Sequence, residues 1–417
     1  MPRKTKIIFI SVFIFVGVIL LGIYFYNKSK NTTRTGGETS FYQKFNPFGT
    51  SKNVNNEGDT NTDENTNTQN NIVKNSPKLH KLTDFAVSGA TFLEDERTLP
   101  VKESTAETTK IEPTTEIVPS LRYVERATGH IYQMYLDNKV TGKISNSTIL
   151  SVYETIFNSK ANSMIYRYVA SDDKTITSFI TSLGGKSNFL NDNILQISLS
   201  PDKNKFFSLI KNKNGVLGTI KSFEETKTSQ VFTSAFSEWL PQWVTEQSIY
   251  MTTKPSYLVD GSVFSLNISN GTLTKLFGGV TGLTTLANKD STNILYGASM
   301  DIGPRLNVFN IKNHTSIDLD KYGLPEKCVW SSDNINVYCA IPSRIVGNQY
   351  PDFWYQGLIS FDDFFVKINT ETKSVSTLAN SVEEGTPVDG INLFLSKKED
   401  KLFFINKKDY TLWSLDL

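Results

Sequence analysis

From about residue 120 to the C-terminus, apolar residues come in short runs broken by polar turns, and the pattern recurs at a spacing of roughly forty-three residues. Each copy reads as a short apolar strand, a polar turn and a second strand that often ends on an aromatic. The turns are Asn158-Ser159-Lys160-Ala161-Asn162, Ser200-Pro201-Asp202-Lys203, Thr245-Glu246-Gln247, Asn288-Lys289-Asp290, Ser331-Ser332-Asp333-Asn334 and Lys397-Lys398-Glu399-Asp400. A period of about 40–45 residues, with four strands to the unit, predicts the blades of an all-β propeller.

The steps between turns count the blades. They are regular from residue 160 to 333 and then lengthen before 398, so the sixth blade carries an insertion. Upstream, Ala86–Leu93 reads as the first strand of an earlier blade, followed by a polar insertion over residues 94–119. Leu121–Glu125 and His130–Leu136 supply its later strands. The last blade offers only Ile391–Ser396, Lys401–Asn406 and Thr411–Leu417. Leu79–Asp84 is placed to complete it, which would close the ring and remove exposed sheet edges. The expectation is a seven-bladed propeller over residues 79–417, with six or eight blades as alternative counts.

The N-terminal pattern is different. Residues 7–26 form an uncharged apolar run long enough to cross a bilayer as a helix. It lacks the shorter apolar core and small-residue cleavage site of a secretory signal. The expectation is an uncleaved transmembrane anchor behind a short basic head, residues 1–6. Arg3, Lys4 and Lys6 precede the run, and Lys28, Lys30 and Arg34 follow it, so the charge bias is slight. The reading is N-terminus cytoplasmic, C-terminal domain extracytoplasmic. Residues 27–78 are rich in Asn, Thr and Ser and cannot bury enough apolar surface to order themselves. Such a tether reaches roughly 40 Å. Within it, Phe41-Tyr42-Gln43-Lys44-Phe45-Asn46-Pro47-Phe48-Gly49 reads either as a docking motif or as a patch lying on lipid headgroups.

The turn phrases Leu199-Ser200-Pro201-Asp202-Lys203 and Trp330-Ser331-Ser332-Asp333-Asn334, with the aromatic pairs Trp243 and Tyr250, Trp330 and Tyr338, resemble those of WD-repeat-like and TolB-type propellers. Arg122-Tyr123-Val124-Glu125-Arg126, Thr128-Gly129-His130-Ile131-Tyr132 and Ile144-Ser145-Asn146-Ser147-Thr148 resemble membrane-anchored propellers of small-genome bacteria. The likeness covers residues 79–417 and is carried by structural phrases. It implies a fold and no chemistry. Only one copy keeps Ser-Pro-Asp, and none keeps the glycine that follows in related phrases.

Charge and candidate chemistry narrow the function. With 43 basic and 42 acidic residues the net charge is +1, which leaves no electrostatic footprint for nucleic acid. No nucleotide-binding glycine motif and no Gly-x-Ser-x-Gly elbow is present. His80, His130 and His314 read as surface or turn residues. Adjacent carboxylates such as Asp172-Asp173, Asp362-Asp363 and Glu399-Asp400 would point to opposite faces of a strand. No metal site and no cofactor is expected. Cys328 and Cys339 flank the Asp333-Asn334 loop, and symmetric pairing about it sets them opposite each other. They read either as a disulfide or as two buried thiols.

Loops between second and third strands all leave a propeller on one face. In blades four to six they bring Tyr257 and Asp260, then Asp301 and Arg305, then Arg344, Tyr350, Phe353, Trp354 and Tyr355. These residue types dominate binding hot spots. The expectation is an aromatic rim that binds a protein or an envelope glycan without catalysis. The insertion's aromatics read alternatively as packing over their own blade. The other functional reading is an enzyme on envelope polysaccharide, a glycosidase or lyase, using carboxylates at the central opening.

Overall fold

Alternating strands pair into seven four-stranded antiparallel sheets in a computed structural model that describes residues 77–98, 114–185 and 187–417. The expected anchor at 7–26, nearly all of the tether and its aromatic island lie outside the described residues. So does the middle of the expected 94–119 insertion. Its flanks are strand rather than loop. The first two strands of blade one, Val87–Thr98 and Thr115–Glu125, run on together down to the pair Thr98 and Thr115.

Each blade's first strand packs beside the first strands of its neighbours. Ser88 Oγ lies 2.8 Å from Thr155 Oγ1 between blades one and two. Trp243 N–H donates to Ser198 Oγ at 2.8 Å between blades four and three. Gln242 donates to the Ala287 carbonyl at 3.2 Å and accepts from its N–H at 2.8 Å, joining blade four to five. The inner strands therefore satisfy one another's polar groups around the axis. Between blades the apolar faces bury residues such as Phe207, Met251, Leu306, Val337 and Phe404.

The last blade is completed by Leu79–Lys81, which pairs with Leu412–Asp416 in the register Leu79 to Leu415 and Lys81 to Trp413. Seven blades close as the strand count requires. The turn between first and second strands recurs with one backbone device. Ala161, Lys203, Ser291, Asn334 and Glu399 hold the same turn position in blades two, three, five, six and seven, and all have φ between 53° and 63°. That position contacts the turn of the preceding blade. Ser159 N–H donates to the Lys203 carbonyl at 3.2 Å, Lys289 N–H to Asn334 Oδ1 at 3.1 Å, and Ser331 Oγ to Glu399 Oε2 at 2.7 Å. These turns make the lower face. Loops between second and third strands, and the connections between blades, make the upper face.

Candidate functional site

The upper face of blades four to seven is where the chain departs most from regular repeats. The connection from blade five to six contains a 3-10 turn, Pro325–Lys327, in which the proline sits at the start, where its missing N–H is harmless. This turn delivers Lys327. The third strand of blade six, Asp363–Asn369, starts with Asp363, and the connection to blade seven ends at Asp389. The Lys327 ammonium lies 2.8 Å from Asp363 Oδ2 and also bonds Asp389 Oδ1, and all three side chains are 0% exposed.

Over this triad lies the blade-six insertion, with a one-turn helix α1 at Asp352–Tyr355. Trp354 Nε1 donates to Asp389 Oδ2 at 3.0 Å, and the Phe361 N–H donates to the same oxygen at 3.0 Å. The Lys327 ammonium lies 5.5 Å from the Trp354 ring centroid and 5.3 Å from that of Phe361. Asp363 Oδ2 also accepts the Gly390 N–H at 2.6 Å, while Asp363 Oδ1 has no partner among the described residues.

One ammonium between two buried carboxylates leaves an excess negative charge. Burial, with the Asp389 charge added, pushes Asp363 up to about 6 against the pull of Lys327. Burial would raise Asp389 too, but Lys327 and the donors from Phe361 and Trp354 outweigh it and hold that group below its usual value.

The insertion reaches well beyond its own blade. Asp352 accepts from Ser256 Oγ at 3.1 Å and from the Tyr257 N–H, both in blade four. Ser299 of blade five donates to the Tyr350 carbonyl, and Lys407 of blade seven to the Trp354 carbonyl. Tyr350 and Trp354, expected on the rim, are 1% and 5% exposed and pack with Leu324 and Phe361 beneath the surface. Tyr350 is held by its hydroxyl on the Val346 backbone. Tyr257 and Phe353 are half-buried. Tyr355 stays accessible and donates its hydroxyl to Glu326.

The charged residues of that rim divide as well. Arg305 is spent on Asp318 at 2.9 Å and Asp320, and stacks 5.2 Å from the Tyr322 ring centroid. Asp260 accepts from Thr281 Oγ1 at 2.8 Å. Asp301 and Arg344 are exposed. Arg344 lines a groove of about 590 Å³ beside Ile345, Tyr322 and Phe364.

What the same loops do present is aliphatic. Leu258 is 73% exposed, Ile302 64% and Leu358 65%, with Val259, Met300 and Val346 also open. The aromatics of the insertion were the stronger sequence signal. Isolated leucines and isoleucines are common in cores and on surfaces alike, so these aliphatics carry no distinguishing signal in the sequence.

Cys328 and Cys339 face each other in register, with Val329 opposite Tyr338 and Trp330 opposite Val337, and their sulfurs are bonded. Among the described residues no three His, Cys, Asp or Glu side chains are grouped to hold a metal ion.

No protein-family model matches the chain, and no curated protein matches it. Solved structures do match in shape. An oligogalacturonate lyase in complex with manganese is 9% identical, with a TM-score of 0.52 over 72% of this chain and 86% of that one. The fold is a β-propeller. TolB from Acinetobacter baumannii is 12% identical, with a TM-score of 0.41 over 60% of this chain, which spans 59% of its length. The propeller domain of the Trilobed protease from Pyrococcus furiosus is 10% identical, with a TM-score of 0.47 over 72% and 90% of the two chains. Likeness at such identity speaks for architecture and leaves the chemistry to the site itself.

Proposed function

We propose that this chain is a membrane-tethered, non-catalytic binding module whose upper face docks a protein partner. The observation that carries the reading is the exposure of four aliphatic side chains, Leu258, Met300, Ile302 and Leu358, on upper-face loops that the insertion ties together. Exposed apolar side chains gathered on one face suit an interaction site, and a braced scaffold reduces the ordering cost of binding. Aliphatic tips suit a protein surface better than a sugar face, which calls for open aromatic rings. Of the insertion's aromatics only Tyr355 is open.

Placement outside the cytoplasm is supported by the apolar run at 7–26 and by the Cys328–Cys339 bond, which an oxidising compartment favours. The described chain enters at Lys78 on the lower face, because the closing strand runs from lower to upper. The patch is on the face opposite to Lys78. The polysaccharide-enzyme reading draws no support from Asp363 and Asp389, since both are sealed from solvent and bound to Lys327.

The test is affinity capture from solubilised envelope with full-length protein, wild type against Leu258→Asp plus Ile302→Asp. A protein retained by wild type and lost with the variant, at unchanged melting temperature, supports the reading. Equal retention overturns it, and so does loss of a glycan or of vesicle binding in place of a protein.

A further inference from the structure

On the axis, toward the lower face, the inner strands of blades seven, one, two and three part to leave a cavity of about 230 Å³. Its walls are mixed. Phe394, Ile405 and Leu199 are apolar, while Ser88, Thr91, Thr155 and Asn392 bring hydroxyls and an amide, and Lys203 closes the lower end. Asn392 is there because the first strand of blade seven bulges between Ile391 and Phe394, with φ 52° at Asn392 itself. Bulges of this kind re-aim a side chain.

The charges around the cavity are unbalanced in a specific way. Glu154 also lines it, but Arg167 holds that carboxylate at 2.7 Å and is itself fixed on the Ile194 carbonyl at 2.9 Å. Asp202, next to Lys203, is turned into its own hairpin, where it accepts from Ser200 Oγ at 2.6 Å and from the Asn204 N–H at 3.0 Å. Among the described residues the Lys203 ammonium has no carboxylate within ion-pair distance, and the Asn392 amide has no hydrogen-bond partner. Lys203 is exposed as a residue, and desolvation of its ammonium, then the charge of Lys289 from the turn of blade five, holds that group below its usual value. A neighbouring negative group would relieve both effects.

We propose that this axial cavity binds a small anion, a ligand that presents a phosphate or carboxylate group to Lys203, with Asn392 and Thr91 donating to its oxygens. The inference is independent of the upper-face reading, since the two share no residue. Lys203 makes its turn contacts through its backbone, donating N–H to the Ser200 carbonyl at 2.8 Å and accepting from Ser159. Its side chain is therefore free to be changed without loss of the hairpin.

Isothermal titration of full-length protein with inorganic phosphate, and separately with citrate, tests the proposal and separates the two chemistries. Saturable one-site binding of at least one probe is expected, weakened tenfold or more by Lys203→Met and restored by Lys203→Arg. Lys289→Met is expected to weaken it by a smaller factor. A melting curve for each variant controls for folding. Absence of saturable binding of either probe overturns the proposal, and so does binding that a folded Lys203→Met variant leaves unchanged.

Discussion

Trp354 and Asp389 are joined by a hydrogen bond of 3.0 Å in which the indole N–H meets a carboxylate that is 0% exposed, so the largest side chain of the blade-six insertion serves as an anchor. Truncation of a buried tryptophan typically costs about 3–5 kcal/mol. Trp354→Ala should lower stability by that order in chemical denaturation. Trp354→Phe keeps most of the apolar contact, loses a bond to a charged acceptor and should cost about 1.5–3 kcal/mol. A Trp354→Ala variant as stable as wild type would show that the indole is not an anchor.

Lys327 neutralises part of a buried cluster, and removing it strands two carboxylates. Lys327→Met should therefore cost roughly 3–5 kcal/mol. Adding Asp363→Asn and Asp389→Asn to it should recover a large part of that loss, because the uncompensated charge goes with the carboxylates. The comparison requires equilibrium unfolding of the single and triple variants at one pH. A triple variant no better than the single one would place the effect in packing instead.

Asp363 should also leave a mark on pH dependence. Its carboxyl is pushed up to about 6 from the ordinary 3.8, so between those values the folded form holds a proton that the unfolded form has released. The folded state then binds more protons between those values, and this contribution to stability is full below about 3.8 and lost as pH rises through about 6. Asp389 works in the opposite sense, its contribution being lost as pH falls through its depressed value. Unfolding free energies measured from pH 4.5 to 7.5 should fall more steeply for wild type than for Asp363→Asn. Parallel curves would count against a raised Asp363.

The bond between Cys328 and Cys339 closes a short loop, with a sequence separation of 11. Chain-entropy arguments give about 3 kcal/mol for a loop of that order. Reduction, or Cys328→Ala with Cys339→Ala, should lower the denaturation midpoint accordingly. An unchanged midpoint would mean that the hairpin's buried neighbours, Trp330 and Val337 among them, set the register unaided.

Ring closure rests on a short strand. Leu79 is 5% exposed, pairs with Leu415, and its N–H donates to Glu384 Oε2 at 3.0 Å. Leu79→Ala should cost about 2–5 kcal/mol, as other buried leucines do. Removing the strand altogether should expose the Leu412–Asp416 edge and promote self-association, read by light scattering. A truncated chain that stays monomeric and as stable as wild type would refute closure as the stabilising device.

The sequence by itself determined the architecture. Strand alternation, turn chemistry and a fixed spacing are local properties, so the seven blades, the closing role of the Leu79–Asp84 segment, of which Leu79–Lys81 forms the strand, and the placing of Cys328 opposite Cys339 could be read along the chain. A symmetric hairpin sets its register through its loop, which is why pairing about Asp333-Asn334 places Cys328 opposite Cys339.

Only the tertiary structure decided which side chains face outward. Trp354 and Tyr350 have the composition of a binding rim, yet a carboxylate from the next blade connection and a hydroxyl from blade five draw the insertion down and bury them. Asp363 and Asp389 stand 36 and 62 positions from Lys327, and the three carry no motif. Lys203 looks like any turn lysine until the inner strands of four blades form walls beside it. Burial and the pairing of charges depend on neighbours from other blades, and no local pattern encodes which neighbours those will be.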